Sequence, residues 1–266
     1  MRVHALQRDD ATLRVFDSGA GMPVVFQHGL GGDAAQVAEN FPDGPAYRRL
    51  TVECRAQGGS TAGSVRPFSL AMFAADVLAA CDARHLVVGG ISTGAAIALR
   101  LAVLHPDRVT ALILARPAWL LDPAPANMRP FAEIARLLRE HPPSAARERF
   151  AASPAARMLA TEAPDNLSSL LKFFDRPDPA VTADLLADIA ADGPGVTAAR
   201  AAAITIPTLV IGHALDHVHP LPYAQQLAEI LPNARLATIT PKAADKPRHV
   251  AEFRRAVDQF LRQPSR

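Results

Sequence analysis

The sequence predicts an α/β chain: a largely parallel sheet covered on both faces and interrupted by one all-helical stretch. Three observations carry this. Through the first half, short apolar runs bounded by glycine and proline alternate with segments of helical period. From residue 120 to about residue 203 only helical patterns occur, broken by prolines. Strand patterning then resumes at Thr208-Leu209-Val210-Ile211-Gly212. Strands that alternate with helices imply parallel pairing under two helical layers.

The elements follow in order. Residues 3–6 and 12–16 are β-like runs joined through Asp9-Asp10, which suits a hairpin. Pro23-Val24-Val25-Phe26-Gln27 is a compact apolar strand ending at His28-Gly29, and Leu50-Thr51-Val52-Glu53-Cys54 is another. Ser69 is a helix cap, with Leu70, Phe73, Val77 and Cys81 recurring at helical spacing behind it. Leu86-Val87-Val88-Gly89-Gly90 is a buried strand running directly into a helix over 92–104, which ends at His105-Pro106. Residues 109–115 form the next strand, and the rhythm breaks at Arg116-Pro117. Helical patterns occupy 131–140, 144–150, 167–174 and 180–191. After 208–212 come a helix at 223–231, a strand at 234–239 and an amphipathic helix near 250–261. This divides the chain into a core, 1–119 with 204–266, and a helical insertion, 120–203.

Composition narrows the function. The 266 residues are enough to bury a core without disulfides or a structural metal. The net charge of +2 leaves no basic footprint for nucleic acid. Two cysteines, Cys54 and Cys81, are too few for an oxidised framework and suggest reduced thiols in a cytosolic protein. The N-terminus carries no apolar signal region, and no apolar run is long enough to cross a membrane.

The chemistry centres on Gly90-Ile91-Ser92-Thr93-Gly94, a GxSxG pattern between an apolar strand and a helix. Glycines on both sides permit a sharp, strained turn that lifts the Ser92 hydroxyl above the sheet edge at a helix N-terminus. His28-Gly29-Leu30-Gly31-Gly32 follows an earlier strand, and its small residues let backbone amides approach a ligand. Beside a nucleophile elbow, the Leu30 and Thr93 amides become candidate oxyanion donors, with His28 and Gly29 next to the substrate.

These segments, with Glu53-Cys54-Arg55-Ala56-Gln57-Gly58-Gly59-Ser60 and Gly212-His213-Ala214-Leu215-Asp216, resemble the α/β-hydrolase superfamily over nearly the whole chain. Glu53 and Ala56 depart from that superfamily's D-x-R-G-x-G-x-S loop. The resemblance implies an eight-stranded, mostly parallel sheet with a helical cap after the sixth strand. It also implies a Ser–acid–His order along the chain. Asp216 fits the acid, since it lies just after a buried strand and before Pro220; a helix-capping aspartate is the other reading. The superfamily's histidine position falls near Ala244, so His249 is the histidine available to the last loop.

His213, His217 and His219 crowd around Asp216, but without a metal-binding spacing; tuning of the acid fits them better. Arg116 ends the sixth strand on the same sheet edge as Ser92, with Trp119, the chain's one tryptophan, close behind. An arginine there either grips an anionic or strongly polar substrate group, or ties the cap to the core through an aspartate such as Asp122. The expectation is a serine hydrolase of a small ester or lactone. Ser92 is its nucleophile, His249 its base and Asp216 the orienting acid, and it needs no cofactor or metal. C–C bond hydrolysis, other cofactor-free chemistry and a non-catalytic receptor remain as alternatives on the same fold.

Overall fold

The computed structural model describes residues 1–263. Eight strands form one sheet: β1 (Arg2–Arg8), β2 (Ala11–Ser18), β3 (Met22–Gln27), β4 (Tyr47–Val52), β5 (Leu86–Ile91), β6 (Val109–Ala115), β7 (Thr208–Gly212) and β8 (Ala234–Thr238). Their spatial order is β1-β2-β4-β3-β5-β6-β7-β8. β1 pairs antiparallel with β2, and β2 antiparallel with β4; every other pairing is parallel. The hairpin turns at Asp9, whose φ of 54° is the left-handed conformation that aspartate tolerates.

Strand residues alternate between two cores. Val24 and Phe26 of β3, Ile91 of β5, Ile113 of β6 and Ile211 of β7 pack with Phe41, Phe253 and Val257 on one face. Val25, Val88, Leu112, Leu114 and Val210 point to the other. Burial on both faces is why these strands read as continuous apolar runs rather than as alternation. The first face is covered by α1 (Ala34–Asn40) and the second by α2 (Leu70–Ala79) and α3 (Thr93–Leu104). Ser69 caps α2, accepting from the Met72 amide at 3.1 Å.

Between β6 and β7 the chain is helical throughout its regular elements. These are α4 (Arg129–Glu140), α5 (Pro143–Ala151), α6 (Pro154–Glu162), α7 (Pro164–Leu171), α8 (Pro179–Ala191) and α9 (Ala198–Ala202). A proline occupies the first turn of each of α4 to α8, where its missing N–H costs nothing. So the prolines that punctuate this stretch start helices as much as break them. Asp188 and Asp192, at the end of α8, accept from the Phe68 and Leu70 amides at 2.9 and 2.7 Å. The insertion is thereby joined to the N-terminus of α2.

Two helices complete the fold, α10 (Leu221–Ile230) and α11 (Lys246–Leu261). α11 starts earlier than the sequence suggested. Asp245 caps it through the Arg248 amide at 3.0 Å, and Pro247 lies in its first turn. Among the described residues no helix is long and apolar enough to cross a membrane.

Candidate active site

The loops after β3, β5, β6, β7 and β8 all leave from the C-terminal edge of the parallel strands, where open α/β sheets hold their ligands. Backbone pairing continues one step beyond the strands. The Ser92 amide donates to the Ala115 carbonyl at 2.9 Å, and the Arg116 amide to the Ile211 carbonyl at 2.7 Å. Ser92, Arg116 and the loop carrying Asp216 are therefore neighbours across the sheet.

Ser92 stands at φ 58°, ψ −113°, a strained conformation for a side chain-bearing residue. Its carbonyl accepts from the Ala95 and Ala96 amides and so starts α3. The flanking glycines are needed for space. A Cβ on Gly90 would lie 2.5 Å from the Gly94 carbonyl carbon, and one on Gly94 would lie 2.5 Å from the Gln27 oxygen. Among the described residues, the Leu30 and Thr93 amides have no hydrogen-bond partner, while the Gly29, Gly31 and Ser92 amides beside them do. Gln36 accepts from the Gly29 amide at 2.8 Å and Gln57 from the Gly31 amide at 2.7 Å, which holds the first loop open. Glu53 accepts from the Ala34 and Gly59 amides, so the longer acid braces the two loops against each other. Ala56, the second departure, sits at φ 59° and carries backbone strain that glycine would not.

Asp216 has a fully buried side chain with several donors. Arg116 donates from Nε and Nη2 to Oδ2 at 3.0 and 2.7 Å, and the His219 amide to Oδ1 at 3.0 Å. The His219 Nδ1 lies 2.9 Å from both carboxylate oxygens. Burial works to raise this carboxyl's pKa, but Arg116 and His219 outweigh it and hold the group well below the ordinary range. Arg116 itself adopts φ 47°, a second strained position at this edge.

Ser92, Leu30, Gly29, Arg116 and His219 line one cavity of about 450 Å³, roofed by Phe131, Leu170 and Phe173 of the helical insertion. Residues 22–243 match the model of the alpha/beta hydrolase fold family.

The chain belongs to the α/β-hydrolase fold family.

Solved structures similar over nearly its full length include a hydrolase from Pseudomonas aeruginosa, with 25% identity, a TM-score of 0.72 and 98% of each chain covered. An enol-lactonase from Burkholderia xenovorans has 20% identity and a TM-score of 0.73, with 98% of this chain and 100% of that one covered. A thermophilic esterase from Thermogutta terrifontis has 20% identity, a TM-score of 0.73 and 98% coverage of each chain.

Within this α/β-hydrolase frame, several expected site residues are placed differently. His249 is buried, but it is hydrogen-bonded to neither Ser92 nor Asp216 among the described residues. Its Nδ1 lies 2.9 Å from the Thr240 carbonyl, and its ring packs edge-on against His213 at 5.0 Å. The cause is the early start of α11, which fixes His249 in the first helical turn instead of on a free loop. It borders a small hollow with Gln36, Glu39 and Arg116, residues that also line the Ser92 cavity, so the two spaces adjoin. His28 does not face the cavity either. Its Nδ1 lies 2.8 Å from the Gly29 carbonyl and its Nε2 accepts from the Cys54 amide at 3.0 Å, so it pins one loop to the next. Trp119 is buried and donates from Nε1 to the Asp192 carbonyl at 2.8 Å, which anchors the helical insertion. Arg116 does line the cavity, but its guanidinium is committed to Asp216, not to Asp122.

The three crowded histidines separate. His217 pairs with Glu162 at 2.8 Å near the surface. His213 has Nε2 3.5 Å from Asp216, and burial followed by the Arg116 charge pushes its pKa down to about 4. His219 alone of the three lines the cavity with Ser92.

Proposed function

We propose that this α/β hydrolase is a serine hydrolase that cleaves a small carboxylic ester or lactone through an acyl-enzyme at Ser92. The observation that carries this is the strained Ser92 elbow, set in a cavity beside two unpaired amides. Ser92 Oγ attacks the carbonyl carbon while a histidine takes its proton. The Leu30 and Thr93 amides receive the oxyanion; one such donor contributes roughly 3–4 kcal/mol in the transition state. The alkoxide leaves with that proton, and water then releases the acid and restores the serine. Asp216, ionised at neutral pH, orients the histidine and stabilises the imidazolium. Structural likeness to an enol-lactonase and an esterase supports this substrate range.

The substrate carries an anionic group. The chain has three lysines among its 28 basic residues, and Lys172, Lys242 and Lys246 all line this cavity, together with Arg176. Lys242 pairs with Asp165 and Lys246 with Glu39. Lys172 has no ion-pair partner among the described residues and stands ready for a carboxylate, a role Arg116 cannot fill while it holds Asp216.

One observation favours a non-catalytic ligand receptor instead: His249 bonds neither Ser92 nor Asp216. Turnover of p-nitrophenyl acetate separates the two readings. Sustained turnover, lost in Ser92→Ala, supports the hydrolase; ligand binding without turnover supports the receptor.

A further inference from the structure

We propose that His219, from the same loop as the acid, is the general base that activates Ser92. This rests on the serine hydrolase reading above. A serine hydroxyl is a poor nucleophile near neutral pH and needs a base brought to it. Three histidine rings surround the Asp216 region, and their bonding differs. His213 directs Nδ1 to the Ala214 carbonyl at 2.6 Å, and its Nε2 is buried without a hydrogen bond. His249 directs Nδ1 to the Thr240 carbonyl, away from any carboxylate, and borders a hollow that adjoins the Ser92 cavity through Gln36, Ile91 and Arg116. Among the three, His219 alone has Nδ1 hydrogen-bonded to a carboxylate, and it is a lining residue of the Ser92 cavity.

The tautomer follows from the partners. Ionised Asp216 only accepts, and both of its oxygens lie 2.9 Å from His219 Nδ1, so Nδ1 carries the proton. The Arg116 Nη2 at 3.2 Å is itself a donor and cannot bond that N–H; it is a close neighbour, and its bond is to Asp216. Nε2 is then left with its lone pair, as a general base requires. The His219 amide also donates to Asp216 Oδ1, so backbone and ring are fixed by one carboxylate. A carbonyl partner, such as His249 has, stabilises an imidazolium less than a carboxylate does. In an empty site the serine–base bond is commonly open and tightens when substrate arrives.

The step balances. The Ser92 Oγ–H proton passes to His219 Nε2 as Oγ bonds the carbonyl carbon. It is then delivered to the leaving alkoxide oxygen. In the second half-reaction His219 takes a proton from water and returns it to Ser92 Oγ as the acyl bond breaks. Arg116 remains on Asp216 throughout and offsets its charge.

The test compares His219→Ala and His249→Ala in turnover of p-nitrophenyl acetate and in the rate of fluorophosphonate labelling at Ser92. His219→Ala should lose about 10²–10⁴-fold in both, with partial recovery on adding free imidazole. His249→Ala should show no loss that free imidazole rescues. A folded His219→Ala with near-wild-type rates overturns the proposal, and so does loss with imidazole rescue confined to His249→Ala. Should His219→Ala fail to fold, wild type still decides. The acid limb of kcat/KM should coincide with the NMR titration of the His219 ring. That ring faces Asp216 and Arg116 directly, with Asp165 acting from the insertion and Lys242 across the same cavity. Coincidence with the His249 ring instead overturns the proposal. Wild type that leaves Ser92 unlabelled overturns the hydrolase reading itself, and this inference with it. Labelled wild type with a base other than His219 overturns only the inference.

Discussion

Replacing Arg116 by alanine should destabilise the fold through Asp216. The Asp216 side chain is 0% exposed and that of Arg116 11%, so the pair is desolvated on both sides. Removing one partner of a buried ion pair typically costs 3–5 kcal/mol, because the other charge stays buried. Here the His219 amide and ring still donate, which places the loss at the lower end, about 3 kcal/mol. For a chain of this size that corresponds to a Tm fall of roughly 6–12 °C. Urea unfolding followed by Trp119 fluorescence, with far-UV circular dichroism as a second probe, measures it. The pH dependence supplies a check. The native Asp216 pKa lies well below the unfolded carboxylate value, so its stabilisation is fully present above the unfolded value, about pH 4, and is lost as pH falls through the native value. The gap between wild type and Arg116→Ala should be full at pH 7 and narrow below about pH 4. Arg116→Met with Asp216→Leu, which removes both charges, should recover much of the loss. A pH 7 difference under about 1 kcal/mol, or a gap unchanged well below pH 4, would refute a stabilising buried pair.

Ala56→Gly should stabilise the fold by about 0.5–1 kcal/mol in urea titration, since the relief of left-handed strain exceeds the added freedom of the unfolded chain. Lys172→Ala should raise KM for a carboxylate-bearing p-nitrophenyl ester and leave a neutral ester of equal size nearly unchanged. The preference of wild type for the anionic ester should also weaken as salt is added, because Lys172 is exposed. Equal effects on both esters would place the anion contact elsewhere.

The sheet, the hairpin and the Ser92 elbow were legible because each has a local signature: apolar runs, a two-aspartate turn, and glycines flanking a serine between strand and helix. The seven-residue α1 went unread, being too short to show a helical period, although Asp33 caps it by accepting from the Ala35 and Gln36 amides. The bounds of α11 went astray for a related reason. Asp245 followed by a proline two residues on is a helix-start signal, and it places the first turn ahead of the apolar residues that mark the helix near 250. The Ser–acid–His order points to His249 as the base, and the structure places that residue in the first turn of α11, hydrogen-bonded to the Thr240 carbonyl. The Arg116–Asp216 pair spans 100 positions in sequence and has no local signal. His28 and Trp119 looked exposed to ligand because burial depends on how loops fold over one another. His219 was visible beside Asp216, but its Nδ1 contact with the carboxylate and its place in the cavity lining, which set it apart from His213 and His217, depend on how the loop folds.

The reading proposed here makes Ser92 an activated nucleophile within the cavity. Intact-protein mass spectrometry after treatment with a fluorophosphonate probe, followed by peptide mapping, tests it most directly. One adduct per chain is expected, on Ser92, and none in Ser92→Ala. Wild type left unmodified, or an adduct that persists in Ser92→Ala, would contradict it.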